Sequence, residues 1–384
     1  MAPSLPSPAN LAEQLPDEWE TTLKAWGEPR YRALQIFRWI HQRGVCNPAQ
    51  MTDLPKRLRD RLAQEGLSPA AAVAETHNSG DGTKKLLIEL GDGKRIETVL
   101  IPRASVAAED VYAGEDDNEP GEAPSVSSHD ITQCVSSQVG CAMGCAFCAS
   151  GIAGLKRNMS AAEIVAQVLL GRAALDEHSR LAGLVFMGMG EPLHNYGALS
   201  RAIALFSHPE GMGMSLRRMT VSTSGLVPEI DRLGRDFSGQ IQLAISVHAS
   251  DVDTRSRLMP INKKHPLPEL LDAIRRYPLP RRRRLTIEYT LVRGMNDSPE
   301  AARKLAHLLH GLRCKVNLIP MNPVPDAGLS APADDVVENF QRVLRDEGVD
   351  TFLRRRRGDD IAAACGQLAL HGEARKVRSF IAAD

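Results

Sequence analysis

Three cysteines in the run Cys141-Ala-Met-Gly-Cys145-Ala-Phe-Cys148 are the residues whose types and spacing most clearly indicate chemistry. Thiolates this close together can hold three corners of an iron–sulfur cube, and such clusters normally have four thiolate ligands. With three supplied, one iron keeps an open position, which marks a catalytic site as it does for zinc. The run therefore predicts a [4Fe-4S] cluster whose fourth ligand is a small molecule that chelates iron through an amine and a carboxylate.

A zinc knuckle with His129 as fourth ligand, or three unrelated buried thiols, are the alternatives. Zinc sites usually pair two C-x2-4-C or H-x3-5-H units across a longer loop, and this chain has one unit of that form. Free cysteines often pack as small apolar residues, but three on one short Gly-bearing loop do not resemble core packing. The spacing resembles instead the signature of radical S-adenosylmethionine (SAM) enzymes, in which SAM fills the open iron position.

Composition places the chain among intracellular globular proteins. It has 384 residues, with 43% hydrophobic and 24% charged residues, which is ordinary for a soluble protein. Its 7 cysteines, an odd number in a long chain, argue against a secreted disulfide framework. The first residues lack the basic start and apolar stretch of a signal peptide, and no apolar run reaches membrane-spanning length. We expect a cytoplasmic protein that does not bind membranes.

The net charge of zero conceals an asymmetry. Residues 104–130 carry eight acidic residues and no Lys or Arg, and the remainder has 47 basic against 39 acidic residues. Basic runs lie at Arg275–Arg276, Arg281–Arg284 and Arg354–Arg357. Clustered arginines suit phosphate contact, although a single charge run is usually a solvated face. Together these runs permit RNA binding.

Four segments follow from the pattern along the chain. Residues 12 to about 75 have helical periodicity, and two apolar runs around Gly91-Asp92-Gly93-Lys94 predict a β-hairpin. We expect an N-terminal helical accessory domain that binds RNA (1–76), a β-hairpin extension (77–102), an acidic, disordered insertion (103–130) and a catalytic domain (131–384).

Strand and helix signals alternate from residue 131 onward. The predicted strands are 131–138, 181–189, 217–224, 241–249, 285–292 and 315–321. Ser160-Ala-Ala-Glu163 is a capping box, and Ser298-Pro299 opens another helix. Six β/α units predict an α/β fold with a parallel sheet, either doubly wound or a partial barrel. Polar motifs follow several strands, at 188–192, 222–225, 246–248 and 320–323, which predicts one active site at the carboxyl ends of the strands.

With these motifs, the chain resembles the RlmN/Cfr family of radical SAM RNA adenosine methyltransferases. The resemblance rests on an ordered set: YRALQIFRWIHQRGV, CVSSQVGCAMGCAFC, FMGMGEPLHNY, TVSTSG, VNLIPMNP and RGDDIAAACGQL. A lone GEP would be weak, but this ensemble in this order is specific. The resemblance implies a partial (β/α)6 radical SAM barrel preceded by a small helical domain.

The resemblance also implies a role for each matching residue. Cys141, Cys145 and Cys148 would hold the [4Fe-4S] cluster; Gly190 and Glu191 would bind the SAM amino group; Ser222, Ser246, Val247, His248 and Asn322 would line the rest of SAM; Cys365 would carry the methyl group, Cys134 would be its disulfide-forming partner, and Glu97 would be the proton acceptor. Taken alone, each residue also suits a structural role. Cys365 would pass for a buried helix thiol, and Glu97 for a solvent-facing strand residue.

The reaction implied by the family uses SAM twice. One SAM methylates Cys365, and a second is cleaved to a 5′-deoxyadenosyl radical that activates the S-methyl group for addition to adenine. The pattern looks more like the branch that methylates adenine C2 in 23S rRNA and tRNA than the C8 branch that confers antibiotic resistance. Other hypotheses are a zinc-holding RNA-binding protein and a radical SAM enzyme with another substrate. We further expect a flavodoxin-like electron donor and a monomer.

Overall fold

The computed structural model describes residues 10–103, 129–325, 327–354 and 356–368. The helices are α1 (Pro16–Ala25), α2 (Arg32–Phe37), α3 (Lys56–Gln64), α4 (Ala149–Ala153), α5 (Ala161–Ala173), α6 (Tyr196–Ser207), α7 (Val227–Asp236), α8 (Val252–Leu258), α9 (Leu267–Arg276), α10 (Pro299–Leu309) and α11 (Asp334–Asp346). The strands are β1 (Ala71–Asn78), β2 (Lys84–Leu90), β3 (Arg95–Pro102), β4 (Asp130–Cys134), β5 (Gln138–Val139), β6 (Arg157–Asn158), β7 (Arg180–Phe186), β8 (Met219–Thr223), β9 (Gln242–Ser246), β10 (Leu285–Leu291), β11 (Cys314–Pro320) and β12 (Thr351–Leu353). Nearly all of the predicted acidic insertion, residues 104–128, lies outside the described residues.

One ten-stranded sheet organises the molecule, in the order β1-β2-β3-β4-β7-β8-β9-β10-β11-β12. The first four strands pair antiparallel, and from β4 to β12 every pair is parallel. The six predicted strands are confirmed as β4, β7, β8, β9, β10 and β11, and helices connect most of them. The chain therefore has the alternating β/α architecture that its sequence predicts.

Local sequence signals set several element boundaries. Ser160 caps α5 by accepting from the Glu163 N–H, and the Glu163 carboxylate accepts the Ser160 N–H, which completes the predicted capping box. Ser298 caps α10 ahead of Pro299 at the first helical position. The predicted hairpin is confirmed, since β2 and β3 pair antiparallel across the turn that follows Leu90.

The sheet is curved, because strands far apart in its order line one pocket. Residues of β3, β4 and β7 (Val99, Cys134 and Val185) share this pocket with Ile319 of β11. On the opposite face of the parallel strands, apolar side chains such as Ile287 are fully buried in the core, which also contains the helix residues. A curved, partly closed sheet with helices outside and a pocket inside agrees with the predicted partial barrel.

The sequence does not predict three of the described strands, β1, β6 and β12. Helix was expected to about residue 75, and this is wrong at its end because β1 begins at Ala71. After Ala71 every residue of β1 is exposed, so this edge strand lacks the alternating apolar pattern that marks a half-buried strand. β12 has three residues and β6 has two, too few to give a periodic signal. No helix in the described part of the chain is long and apolar enough to cross a membrane.

Candidate active site

The cysteine run forms a loop between β5 and α4, as the sequence predicts for a segment after the first parallel strand. Cys141, Cys145 and Cys148 are free and half-buried. Burial raises the pKa of Cys141 to about 12, with a further contribution from the charge of Cys148. Burial also raises the pKa of Cys145 and of Cys148. Three neighbouring thiols that would repel one another as thiolates form a donor set that a cationic metal centre would stabilise.

The zinc alternative finds no support in the geometry. Within the described ranges, no three His, Cys, Asp or Glu side chains converge as they would around a single ion. His129 is exposed, and its ring lies 6.2 Å from that of His178. In a cubic cluster each thiolate binds a different iron atom, so the three sulfurs need not converge on one point.

The loop after β7 packs closely against the segment that leads to the cysteines. Gly190 has a φ of +103°, and a Cβ built there would lie 2.6 Å from the Gln138 Cβ. The Glu191 carboxylate accepts N–H groups from Leu193 (3.2 Å) and Ser224 (2.8 Å). Burial raises the pKa of Glu191. This carboxylate therefore ties the loop to the end of β8.

The ends of β8 and β9 carry the next predicted residues. Ser222 and Ser246 are half-buried, whereas Val247 is fully buried. His248 has a left-handed φ of 54°, and its Nδ1 accepts the Thr290 N–H at 2.9 Å. Burial lowers the pKa of His248 to about 3, so the ring is neutral. The ring meets Phe147 of the cysteine loop edge-on at 4.8 Å, which places His248 beside that loop.

The segment around Cys365 is tied directly to the cysteine loop. The N–H of Ala149, one residue after Cys148, donates to Gly366 O at 2.8 Å, and the Ser150 hydroxyl donates to Leu368 O at 2.6 Å. Asn322 Nδ2 donates to Cys365 O at 2.9 Å, while its buried Oδ1 has no partner in the described residues. Asn322 therefore joins the Cys365 segment to the end of β11.

Cys134 and Cys365 line the same pocket, which measures about 630 Å³ including the space open to solvent. Cys134 ends β4 and is buried, whereas Cys365 is exposed. Burial raises the pKa of Cys134, and the charge of Cys365 adds to this increase. Arg354 Nη1 lies 3.5 Å from Cys365 Sγ. The fold thus brings together two thiols that are far apart in sequence.

Glu97 is buried rather than solvent-facing. Its Oε1 lies 2.9 Å from the Nζ of Lys85, and both side chains are almost fully buried. Side chains alternate along a strand, so Glu97 shares a face of β3 with the pocket residues Val99 and Ile101. Lys85 Nζ also lies 3.3 Å from Ala362 O, just before Cys365. A buried ion pair therefore adjoins the two-cysteine pocket.

Comparison with known proteins matches both parts of the chain. Residues 9–66 match the ribosomal RNA large subunit methyltransferase N-terminal domain, and residues 135–306 match the radical SAM superfamily. A dual-specificity RNA methyltransferase RlmN of Sorangium cellulosum is 57% identical over 97% of this chain and 98% of its own length. Its counterpart in Syntrophobacter fumaroxidans is 44% identical over 91% and 95%. A radical SAM methyltransferase structure from Sphaerobacter thermophilus is 44% identical, with a TM-score of 0.83 over 94% of this chain and 99% of that one.

The chain belongs to the RlmN family. Its resemblance to radical SAM RNA methyltransferases and its predicted α/β fold are thereby confirmed. RlmN family members are enzymes that use a [4Fe-4S] cluster and SAM, and the three free thiols of the cysteine loop fit such a cluster.

Several residues that organise this RlmN-family site escaped the sequence analysis. The Ser136 hydroxyl donates to Glu97 O at 2.6 Å and accepts the Met189 N–H, and Gln138 Oε1 accepts the Glu191 N–H at 2.9 Å. Both belong to the CVSSQVG motif, so their place in that motif was the available signal. Lys85 and Arg255 gave no local signal, because their partners are distant in sequence.

Two of the basic runs lie at opposite ends of the parallel strands. Arg354, Arg356 and Arg357 line the two-cysteine pocket. The run 281–284 directly precedes β10, so it lies at the amino end of the parallel strands, away from the pocket. Structural contacts also occupy two members of that run: Arg283 donates to Gln240 O, and Arg284 pairs with Asp350. Among the described arginines of the three basic runs, Arg354, Arg356 and Arg357 are therefore the ones available for RNA contact at the pocket.

Proposed function

We propose that this protein methylates C2 of adenosine in 23S rRNA, at the peptidyl-transferase centre, and C2 of the adenosine next to the anticodon in tRNA. The observation that carries the proposal is that Cys134 and Cys365 line one pocket, beside a loop of three further free cysteines. The relatives named dual-specificity RNA methyltransferases support the choice of substrates. The cytoplasm is the compartment where such RNA substrates are found.

The reactivity of adenine C2 explains why the reaction needs two cysteines besides the three of the cysteine loop. This ring carbon is electrophilic, so direct methyl transfer from SAM, which needs a nucleophilic acceptor, fails there. Cys141, Cys145 and Cys148 would hold the cluster, while Gly190, Glu191, Ser222, Ser246, Val247, His248 and Asn322 would hold SAM. When bound, cluster and SAM supply the one-electron chemistry that activates a methyl group. An external donor, flavodoxin-like in our proposal, supplies the electron.

Cys365 accepts a methyl group from SAM on its thiolate sulfur. Its exposure leaves Sγ accessible, and the Arg354 guanidinium lies 3.5 Å from that sulfur. After the methyl carbon has bonded to adenine, Glu97 accepts the C2 proton. The unpaired electron left on the ring would return to the redox group that supplied the first electron, which leaves a closed-shell adduct on the Cys365 sulfur. The contact with Lys85 fixes the Glu97 side chain beside the pocket.

Cys134 then releases the product. Its thiolate attacks the Cys365 sulfur, so an S–S bond forms and the S–C bond to the adenine methylene breaks. The electron pair of that bond leaves with the product carbon, which takes a proton and becomes the methyl group. A dithiol reductant restores both thiols before the next turnover. Burial raises the pKa of Cys134, so the side chain stays a thiol until a base takes its proton. This limits premature attack on the Cys365 sulfur.

RNA binding completes the proposal. The helices that precede β1 would form an accessory domain for RNA, consistent with the match of residues 9–66 to an N-terminal methyltransferase domain. Arg356 and Arg357, at the pocket rim, would contact phosphates flanking the target adenosine. We propose that the enzyme acts as a monomer.

Mass spectrometry of nucleosides tests this function. Anaerobically reconstituted protein, a reductant and SAM are incubated with unmodified 23S rRNA and, separately, with unmodified tRNA. We expect 2-methyladenosine from both RNAs and none from the Cys365→Ala variant. 8-Methyladenosine would instead place the enzyme in the C8 branch, and an enzyme that cleaves SAM but methylates neither RNA would refute the proposed substrates.

A further inference from the structure

Arg255 is a fully buried arginine whose partners are all uncharged. Its Nη2 donates to Ser224 O at 2.7 Å and to Ser246 O at 3.2 Å, its Nε donates to Val247 O at 3.2 Å, and its Nη1 donates to Asn262 Oδ1 at 2.9 Å. No carboxylate in the described residues pairs with it. Burying a charge costs free energy unless an opposite charge lies close to it. We therefore expect a negatively charged group beside this guanidinium.

Arg201 shows how the same protein treats another buried arginine. This side chain is also almost fully buried, but it forms a bidentate pair with the Glu18 carboxylate, through contacts of 2.8 and 3.0 Å. The fold therefore compensates Arg201 internally. Arg255 has no such carboxylate among the described residues, and this difference points to a partner other than the side-chain acids described.

The helix that carries Arg255 packs directly against the cysteine loop. The Ala146 N–H donates to Leu258 O at 3.0 Å, which joins the end of α8 to the residue after Cys145. Cys145 and Phe147 also pack in one apolar cluster with Leu258. Burial lowers the pKa of Arg255 to about 10, and the neighbouring Cys145 thiolate opposes this decrease. A negative charge held by the cysteine loop would therefore lie close to Arg255.

We infer that Arg255 is a positioning residue whose positive charge is balanced by the thiolate-ligated iron–sulfur cluster and favours the reduced cluster. A cluster gains negative charge on reduction, and a nearby buried cation stabilises the more negative state. The same guanidinium also bridges the ends of β8 and β9 through Ser224 O and Ser246 O. One side chain therefore supplies the positive charge and holds these two strand ends together. This inference rests on the cluster ligation proposed above.

The test compares three variants as anaerobically reconstituted holoenzymes. Arg255→Gln removes the charge, Arg255→Lys keeps it, and Arg201→Gln removes a buried arginine that has its own carboxylate. Iron and sulfide content is measured first, because a wild-type protein without a [4Fe-4S] cluster would contradict the proposed function and not the role of Arg255. The midpoint potential is then obtained by reductive titration monitored by electron paramagnetic resonance.

We expect a more negative midpoint potential for Arg255→Gln and wild-type potentials for Arg255→Lys and Arg201→Gln. A cluster-loaded Arg255→Gln with the wild-type potential would overturn the inference, as would an equal shift in Arg255→Lys. If Arg255→Gln fails to hold a cluster, Asn262→Asp is titrated instead, because it gives Arg255 a carboxylate partner without removing it. That variant should also have a more negative potential, and an unchanged potential would again overturn the inference.

Discussion

Single residues of the site are held by contacts that leave little freedom for substitution. Glu97 is ion-paired with Lys85, Glu191 ties two loops together, and Arg255 holds two strand ends. The sequence identified Glu97 and Glu191 through family motifs, but their contacts depend on residues distant in the chain. Residue type and motif therefore predicted which groups matter, whereas the fold determines what each group touches.

Gly190 gives a direct test at this scale. Its φ of +103° disfavours any side chain, and a Cβ would lie 2.8 Å from the Gln138 backbone N. We expect Gly190→Ala to cost on the order of 2 kcal/mol of stability. It should also weaken SAM binding by about tenfold or more, because the loop must shift. Chemical unfolding and equilibrium dialysis with SAM measure the two effects.

Gly91→Ala is the matched control for Gly190→Ala. A Cβ at Gly91 would have no atom within 4 Å, and its φ is not in the left-handed range. This variant should keep both the stability and the SAM affinity of the wild type. Equal SAM binding by the Gly190 and Gly91 variants would show that the close packing at Gly190 does not shape the SAM site.

Elements were predictable where a local signal exists. The capping box at Ser160 and the Ser298-Pro299 pair predicted the starts of α5 and α10, and continuous apolar runs predicted six buried parallel strands. The edge strand β1 could not be predicted from apolar periodicity. Its side chains after Ala71 are exposed, so burial imposes no alternating pattern on its sequence. Edge and very short strands are defined by backbone pairing, which sequence periodicity does not report.

From the sequence, the site could be predicted only as a group of motifs at the carboxyl ends of parallel strands. Parallel strands place their carboxyl ends on one side, so the motifs after β7, β8, β9 and β11 were expected to meet. The link between the Cys365 segment and Ala149 had no such signal, because it depends on the path of the chain after β12. Curvature of the sheet then brings Cys134 to the same pocket.

At the scale of the whole molecule, the placement of the arginines predicts where RNA binds. Arg356 and Arg357 lie at the pocket, whereas the exposed Arg281 and Arg282 lie at the amino end of the strands. We expect Arg356→Gln/Arg357→Gln to weaken RNA binding and to reduce the slope of log affinity against log salt by about 1 to 2. Filter binding across a salt series measures this change.

Arg281→Gln/Arg282→Gln removes the same charge from the opposite end of the sheet. Because phosphate contacts act locally, this control should leave the salt dependence close to that of the wild type. If both double variants reduced the slope equally, RNA binding would depend on overall charge rather than on the pocket rim.

The fate of Cys134→Ala tests the central claim, that two cysteines in one pocket carry and release the methyl group. Without the Cys134 thiolate, the bond between Cys365 and adenine cannot be broken, so the reaction should stop at a covalent protein–RNA adduct. Cys314→Ala, which removes a half-buried thiol away from the pocket, should turn over normally. Denaturing electrophoresis and mass spectrometry of the Cys365 peptide detect the adduct. An adduct in Cys134→Ala alone is the predicted result, and normal turnover of that variant without an adduct would contradict the account.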